Sequence, residues 1–410
     1  MYPFGLALVV DRPYNEVMRH DGLAINGSIL RWAREIAGLS LEDAAIRAKI
    51  GTPRNLKGHE YRTAGDCLRA WEDGQEKPTI SQLKLMSKAY QRPLITFFLT
   101  APPKQENVFV DLRTIMKCPS ESIEFAALKR HIISLHRELD GILKDENANI
   151  LPFVNSANES LGTAKIVESI SATLGLDAGW QIKKEKFKYL RSKAQGVGVF
   201  VTLMGDLGNY KSKIAVDEFR GMAIADQRSP LIVINSNDAE VGKLFTLAHE
   251  LTHIWLGNSS ISNIDPTDPN SCYDKIERFC NDVAVELLIP QSLLVNFWQK
   301  SNGELLGRIK SLALKFFVSE QVLARRLADL QVIRQEEFRY AVAVYATRLS
   351  KVKQQVKKFV VGKNSNATLK YKFGSRLINT FTRAFDSGAI SLLDAVRTLE
   401  IPAGSFMKVF

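Results

Sequence analysis

Apolar positions recur every three to four residues along most of this chain, and one interval, 196–240, breaks that rhythm. In GSILRWAREIAGLS, Ile29, Leu30, Ala33 and Ile36 share one helical face, and Gly38 marks the stop. Ser40 is placed to cap LEDAAIRAKI, with Asp43 three residues on as a partial capping box. DCLRAWEDGQEKPT ends a further helix at Gly74, and Thr79 caps ISQLKLMSKAY. ESIEFAALKRHIISLHREL and TAKIVESISATLGL predict two amphipathic helices. By contrast, GVGVFVTLM, KIAVDEFRGMAIAD and SPLIVINS are runs of Val, Ile and Phe broken by Gly, Asp and Pro. They predict three strands of a small antiparallel sheet. Helical patterns then resume. LLGRIKSLALKFFVSEQVLARRLADL reads as two helices joined at Val318 and Ser319, and GAISLLDAVRTLEIP closes the chain with a short helix. The whole pattern is α+β in four parts: a helical unit at 25–100, a helical linker at 101–195, a sheet-on-helix domain at 196–335 and a helical region at 336–410.

The mostly apolar helix LFTLAHELTHIWLG holds His249, Glu250 and His253 and ends near Gly257. Residues four apart lie one turn above one another, so both imidazoles can bind a single tetrahedral zinc. Glu250 projects beside the first of them, free to take a proton from the attacking water without ligating. A third protein ligand leaves one position open. In KIERFCNDVAVELLIP, Glu277, Asn281 and Ala284 share a face, while Phe279, Val283 and Leu287 form an apolar stripe. Glu277 there completes a two-His, one-Glu set. The other acidic candidates are Asp265, Asp268, Asp274, Asp282 and Glu286, of which the loop aspartates read as turn formers and Glu286 as an outer partner or a solvent-facing group. Cys272 and Cys280 could donate, but nothing in their spacing demands it and they read as structural thiols. Such a set also suits iron or manganese. For stabilising an oxyanion, Tyr273 in the loop between the ligand helices and Arg220 in EFRG are the candidates.

Charge adds a second theme. The 410 residues carry a formal charge of +11, which suits an acidic partner such as nucleic acid or simply marks a basic enzyme. The excess is dense in KVKQQVKKFVVGKNSNATLKYKFGSR, where Phe359, Tyr371 and Phe373 interleave with lysines. That mixture fits a nucleic-acid surface, and a solvated helix face plus loop is the alternative. The four cysteines form no CxxC pair, which fits free thiols in a reducing compartment. No apolar stretch is long enough to span a bilayer, and the first residues lack the pattern of a signal peptide, so the expected location is cytoplasmic.

Two resemblances refine this. REIAGLSLEDAA and AWEDGQEKPTISQLKLMSKAYQRPLITFFL resemble the helix-turn-helix domain of phage-type (XRE-like) repressors. That likeness implies a major-groove helix around Ala64 to Trp71, with Arg69 as its base-reading side chain. KIGTPRNLKGHEYRTAG is longer than the tight turn of that family, which alters the crossing of the two helices. DEFRGMAIADQRSPLIVINSND, KLFTLAHELTHIWLG, ERFCNDVAVELLIP and VSEQVLARRL together resemble the ImmA/IrrE family of metallopeptidases over about 195–335. The resemblance implies zinc on His249, His253 and Glu277, Glu250 as general base, and a repressor or regulator protein as substrate. By analogy with other zinc peptidases, PLIVINS is the exposed edge strand that receives substrate, with Asn235 touching its backbone. The competing readings are a DNA-binding regulator whose peptidase-like domain senses a signal or binds a partner, and a toxin–antitoxin component. Nothing in the sequence sets the oligomeric state.

Overall fold

The computed structural model describes residues 25–50, 63–103, 110–111, 122–207, 212–262, 275–355 and 366–410. The chain divides into two units, Met1–Gln105 and Glu106–Phe410.

In the first unit the caps form as the sequence predicts. Helix α1 (Gly27–Ile36) is followed by α2 (Leu41–Arg47), whose N-cap Ser40 accepts the Asp43 N–H. Helix α3 (Ala64–Glu72) covers the predicted groove helix. It opens on a reciprocal Thr63–Asp66 capping box that the sequence reading overlooked. Helix α4 (Ile80–Ala89) starts on a second such box, Thr79–Gln82. Helix α1 lies tight on the end of α3. A Cβ on Gly27 would stand 2.5 Å from the Glu72 carbonyl oxygen. Arg34 donates to both carboxylate oxygens of buried Glu72, at 2.7 and 2.9 Å. Arg69 is exposed on α3. The long segment between α2 and α3 falls, for residues 51–62, outside the described residues.

The second unit is built on a mixed sheet. Its strands are β1 (Val110–Asp111), β2 (Phe200–Leu203), β3 (Gly221–Ile224), β4 (Leu231–Ile234) and β5 (Ser260–Ser262), in the order β1-β5-β3-β4-β2. The three expected strands exist, but the expected all-antiparallel pairing does not. Strand β3 runs antiparallel to β4 and β5, while β2 is parallel to β4 and β1 parallel to β5. Each of β2, β3 and β4 is buried on both faces. Short fully apolar strands carry no alternation from which direction could be read. Two further expectations change. The segment 101–195, expected to be a helical linker, supplies β1 at Val110–Asp111. PLIVINS is interior, because β4 pairs on both sides with β2 and β3.

One core lies on each sheet face. The first joins Val201, Leu203, Ala223, Ile232 and Ile234 to α6 (Thr163–Leu174), α7 (Lys186–Gly196), α8 (Glu240–Leu256) and α9 (Lys275–Leu288). It continues into α10 (Gln291–Lys300), α11 (Leu305–Phe316), α12 (Glu320–Asp329) and α13 (Gln335–Gln355). The second joins Phe200, Met222, Ile224, Leu231, Val233 and Ile261 to α5 (Ile123–Asp145), α14 (Asn366–Phe373), α15 (Ser375–Asp386), α16 (Leu392–Leu399) and α17 (Ala403–Val409). The chain therefore ends in two short helices where one was predicted.

The basic C-terminal region is part of this second layer. Phe373 is fully buried against Phe410, so it is unavailable for base stacking. Phe359 lies outside the described residues. Buried Arg191 of α7 binds the Val201 carbonyl of β2 at 2.7 Å. It also binds the Tyr371 and Lys372 carbonyls at the end of α14, at 2.5 and 3.1 Å. One guanidinium thus covers a carbonyl of the β2 edge and holds the last turn of α14 against it. Among the described residues, no helix is long and apolar enough to cross a membrane.

Candidate metal centre

Helix α8 is buried continuously from Lys243 to Trp255, as expected for a helix enclosed by a sheet on one side and helices on the other. Gly257 ends it in the left-handed region (φ 69°), and its N–H reaches back to the carbonyls of His253 and Ile254. A neighbouring loop also binds two carbonyls of the last turn. Asn155 N–H binds Ile254 O at 3.1 Å and Ala157 N–H binds Trp255 O at 3.0 Å. The end of the helix that carries His253 is thereby fixed.

His249 and His253 face α9, and Glu277 meets them from the first turn of that helix. A carboxylate is well placed there by the helix dipole. The Nε2 atoms of the two histidines are 3.0 Å apart. Glu277 Oε2 lies 3.1 Å from His249 Nε2, and Oε1 lies 3.2 Å from His253 Nε2. All three side chains are buried, at 3%, 0% and 1% exposure for His249, His253 and Glu277. They form the one group of ligating side chains of this kind among the described residues. A tetrahedral ion with bonds of about 2.0–2.1 Å sets its ligand atoms roughly 3.3 Å apart, so the observed spacings fit one cation. The fit is also chemical. Neither Glu277 oxygen has a hydrogen bond of good geometry, although both are sealed from solvent and turned toward imidazole nitrogens. A buried carboxylate in that state suits a cation.

The outer ring nitrogens have partners too. His249 Nδ1 lies 2.9 Å from Asn281 Oδ1, so Nδ1–H donates and Nε2 keeps its lone pair for the cluster. His253 Nδ1 faces the buried Cys280 sulfur at 3.8 Å. Asn281 was visible in the sequence only as a residue sharing the Glu277 face; the structure gives it the task of orienting a ring. Replacing Asn281 with Ala is expected to weaken metal affinity about 10- to 100-fold with the fold intact. Competition against a chromophoric chelator measures this, and an unchanged affinity would refute the orienting role.

Electrostatics follow from the geometry. Burial disfavours a charged His249, but the Glu277 carboxylate outweighs it, aided by Glu250 and the Asn281 hydrogen bond, and the imidazole titrates above its ordinary value. Burial likewise pushes Glu277 up, yet His249 and His253 prevail and hold it well below the usual carboxylate range.

Glu250 is fully buried on α8, and its charge reaches His249. It packs on β3, where a Cβ added to Gly221 would overlap its carboxylate. Arg220 pairs with Asp238 at 3.2 Å, ahead of α8. Asn235 is a correction. It is fully buried, and its side-chain amide donates to Phe219 O at 3.0 Å while its oxygen accepts Asn237 N–H at 2.9 Å. Both groups of its amide are thus committed to bracing a loop rather than set on an open strand edge. Glu286 pairs with Arg326 on α12 and so stands outside the cluster. Tyr273, Cys272, Asp265, Asp268 and Asp274 lie outside the described residues.

No curated protein matches the chain. Residues 208–328, which include α8 and α9, match the family model Peptidase_M78, the IrrE N-terminal-like domain. A buried His249–His253–Glu277 cluster compatible with a metal, inside a region matching a peptidase family, supports a metallopeptidase-type function for this chain.

Proposed function

We propose that this chain is a zinc-dependent endopeptidase that cleaves a regulator or repressor protein. The observation that carries the reading is the convergence of two Nε2 atoms and one buried carboxylate within about hydrogen-bond distance, with Glu250 close enough for its charge to raise His249. When bound, zinc supplies Lewis acidity, which activates water and polarises the scissile carbonyl. His249, His253 and Glu277 hold it, and Asn281 keeps the His249 ring turned inward. Glu250 accepts the proton released by the attacking water and passes it to the departing amine. The regulator class of substrate rests on the ImmA/IrrE likeness of the motifs.

The test is cleavage by full-length protein, stripped by a chelator and then reloaded, of repressor-type proteins encoded beside its gene. Activity is expected to vanish on stripping and return with about one zinc per chain. Cleavage that survives complete stripping would overturn the reading. The exposed Arg69 on α3 supports a further role for the first unit, namely holding the protease on DNA near its substrate. A footprint on DNA upstream of its gene that persists after deletion of residues 1–100 would rule that role out.

A further inference from the structure

We infer that Gly221, the first residue of β3, is a positioning residue for Glu250: its missing side chain is the seat of the Glu250 carboxylate. This rests on the peptidase reading of Glu250 given above.

Strand β3 alternates its faces. Ala223 joins the core on the α8 side, and Met222 and Ile224 join the opposite core, so Gly221 faces α8. Thr246 and Glu250 are one helical turn apart, which turns both toward the sheet while His249 and His253 turn toward α9. A Cβ built on Gly221 would overlap Glu250 Oε1, and would stand 2.9 Å from Glu250 Cδ and 2.5 Å from Thr246 Cγ2. Real Cβ atoms essentially never approach other atoms within 3.0 Å. Gly221 has no positive φ, so turn geometry does not demand a glycine here. What excludes a side chain is the space that Thr246 and the acid carboxylate occupy. The strand also cannot retreat, because Gly221 is paired on both sides, with Ile234 of β4 and Ser262 of β5. The ladder therefore fixes the wall, and the wall fixes how far the Glu250 carboxylate reaches.

A methyl group at this position moves the carboxylate while leaving His249, His253 and Glu277 in place, because those three meet on the α9 side. A displacement near 1 Å in catalytic geometry costs about 10²-fold in rate. The expected Gly221→Ala phenotype is thus full metal binding with an impaired base.

The readout for Gly221 needs no substrate. The visible spectrum of the cobalt(II)-loaded full chain is followed against pH for the native protein, Gly221→Ala, Glu250→Gln and the double variant. Cobalt content and melting temperature are recorded alongside. Gly221→Ala is expected to bind cobalt at native stoichiometry and to shift the spectral midpoint in the same direction as Glu250→Gln, and the double variant to shift it no further. Since Thr246 also crowds the site, Gly221→Ala is repeated on Thr246→Ser, which is expected to recover melting temperature but not the midpoint. A midpoint left at its native value, or moved additively in the double variant, would overturn the proposal. Failure of the peptidase reading shows separately, as continued hydrolysis by Glu250→Gln with Gly221 untouched.

Discussion

Glu250→Gln is expected to leave the chain folded and metal-loaded while lowering hydrolysis by about 10²- to 10⁴-fold, the usual contribution of a positioned general base. Gln matches Glu in shape, so it fits the seat against Gly221 and Thr246 without new overlap. The three side chains of the His249–His253–Glu277 cluster are unchanged. What is lost is the ability to accept a proton. The substitution also removes one of the negative charges that raise His249, so the metal-free form of the variant binds a proton there less readily. Removing a buried carboxylate lifts a desolvation cost, and the variant is therefore expected to melt no lower than the native chain. Metal content and single-turnover cleavage decide the matter. A loaded variant that cuts at the native rate shows that another group takes the proton.

The site was more legible in the sequence than the sheet that supports it, and the reason is locality. His249 and His253 are related by helical spacing alone, and Glu277 stands in the first turn of the next amphipathic pattern, so their convergence needed only that two consecutive helices pack. Caps such as Ser40 and Thr79 are equally local. Strand direction is not. LIVI in β4 looks the same whether it is an edge or an interior strand, and it has parallel and antiparallel neighbours at once. Val110 and Asp111 pair with residues about 150 positions away, which no window of sequence contains. The fate of Phe373 was hidden for the same reason: a ring among lysines suggested stacking on bases, and only the fold places it beneath α17. Gly221 is the clearest case. Its role is set by a carboxylate 29 positions on, reached through tertiary packing.

Glu277 gives the second large effect, through the pH dependence of metal binding. In the metal-free chain His249 is raised and Glu277 depressed, each chiefly by the other once burial has been offset. The signs follow from linkage. A raised histidine contributes stability that is fully present below its unfolded value, near 6.5, and is lost as pH climbs through the folded one. A depressed carboxyl contributes stability present above its unfolded value, near 4.5, and lost as pH falls through the folded one. The metal-free protein is therefore most stabilised by this pair between those two unfolded values. Metal requires a neutral imidazole, so it competes with the same proton. Below the raised His249 value, affinity is expected to fall by about tenfold per pH unit, one proton being displaced for each ion bound. Glu277→Gln removes both a ligand and the main charge that raises His249. It is expected to cost more than the roughly 10- to 100-fold of an outer partner and to move the onset of the proton dependence to lower pH. Zinc isotherms from pH 5 to 8 on both proteins measure the two effects together. If the variant keeps native affinity, the carboxylate is not a ligand and the cluster is only a buried ion pair; if its onset stays where the native one lies, Glu277 is not the charge that raises His249.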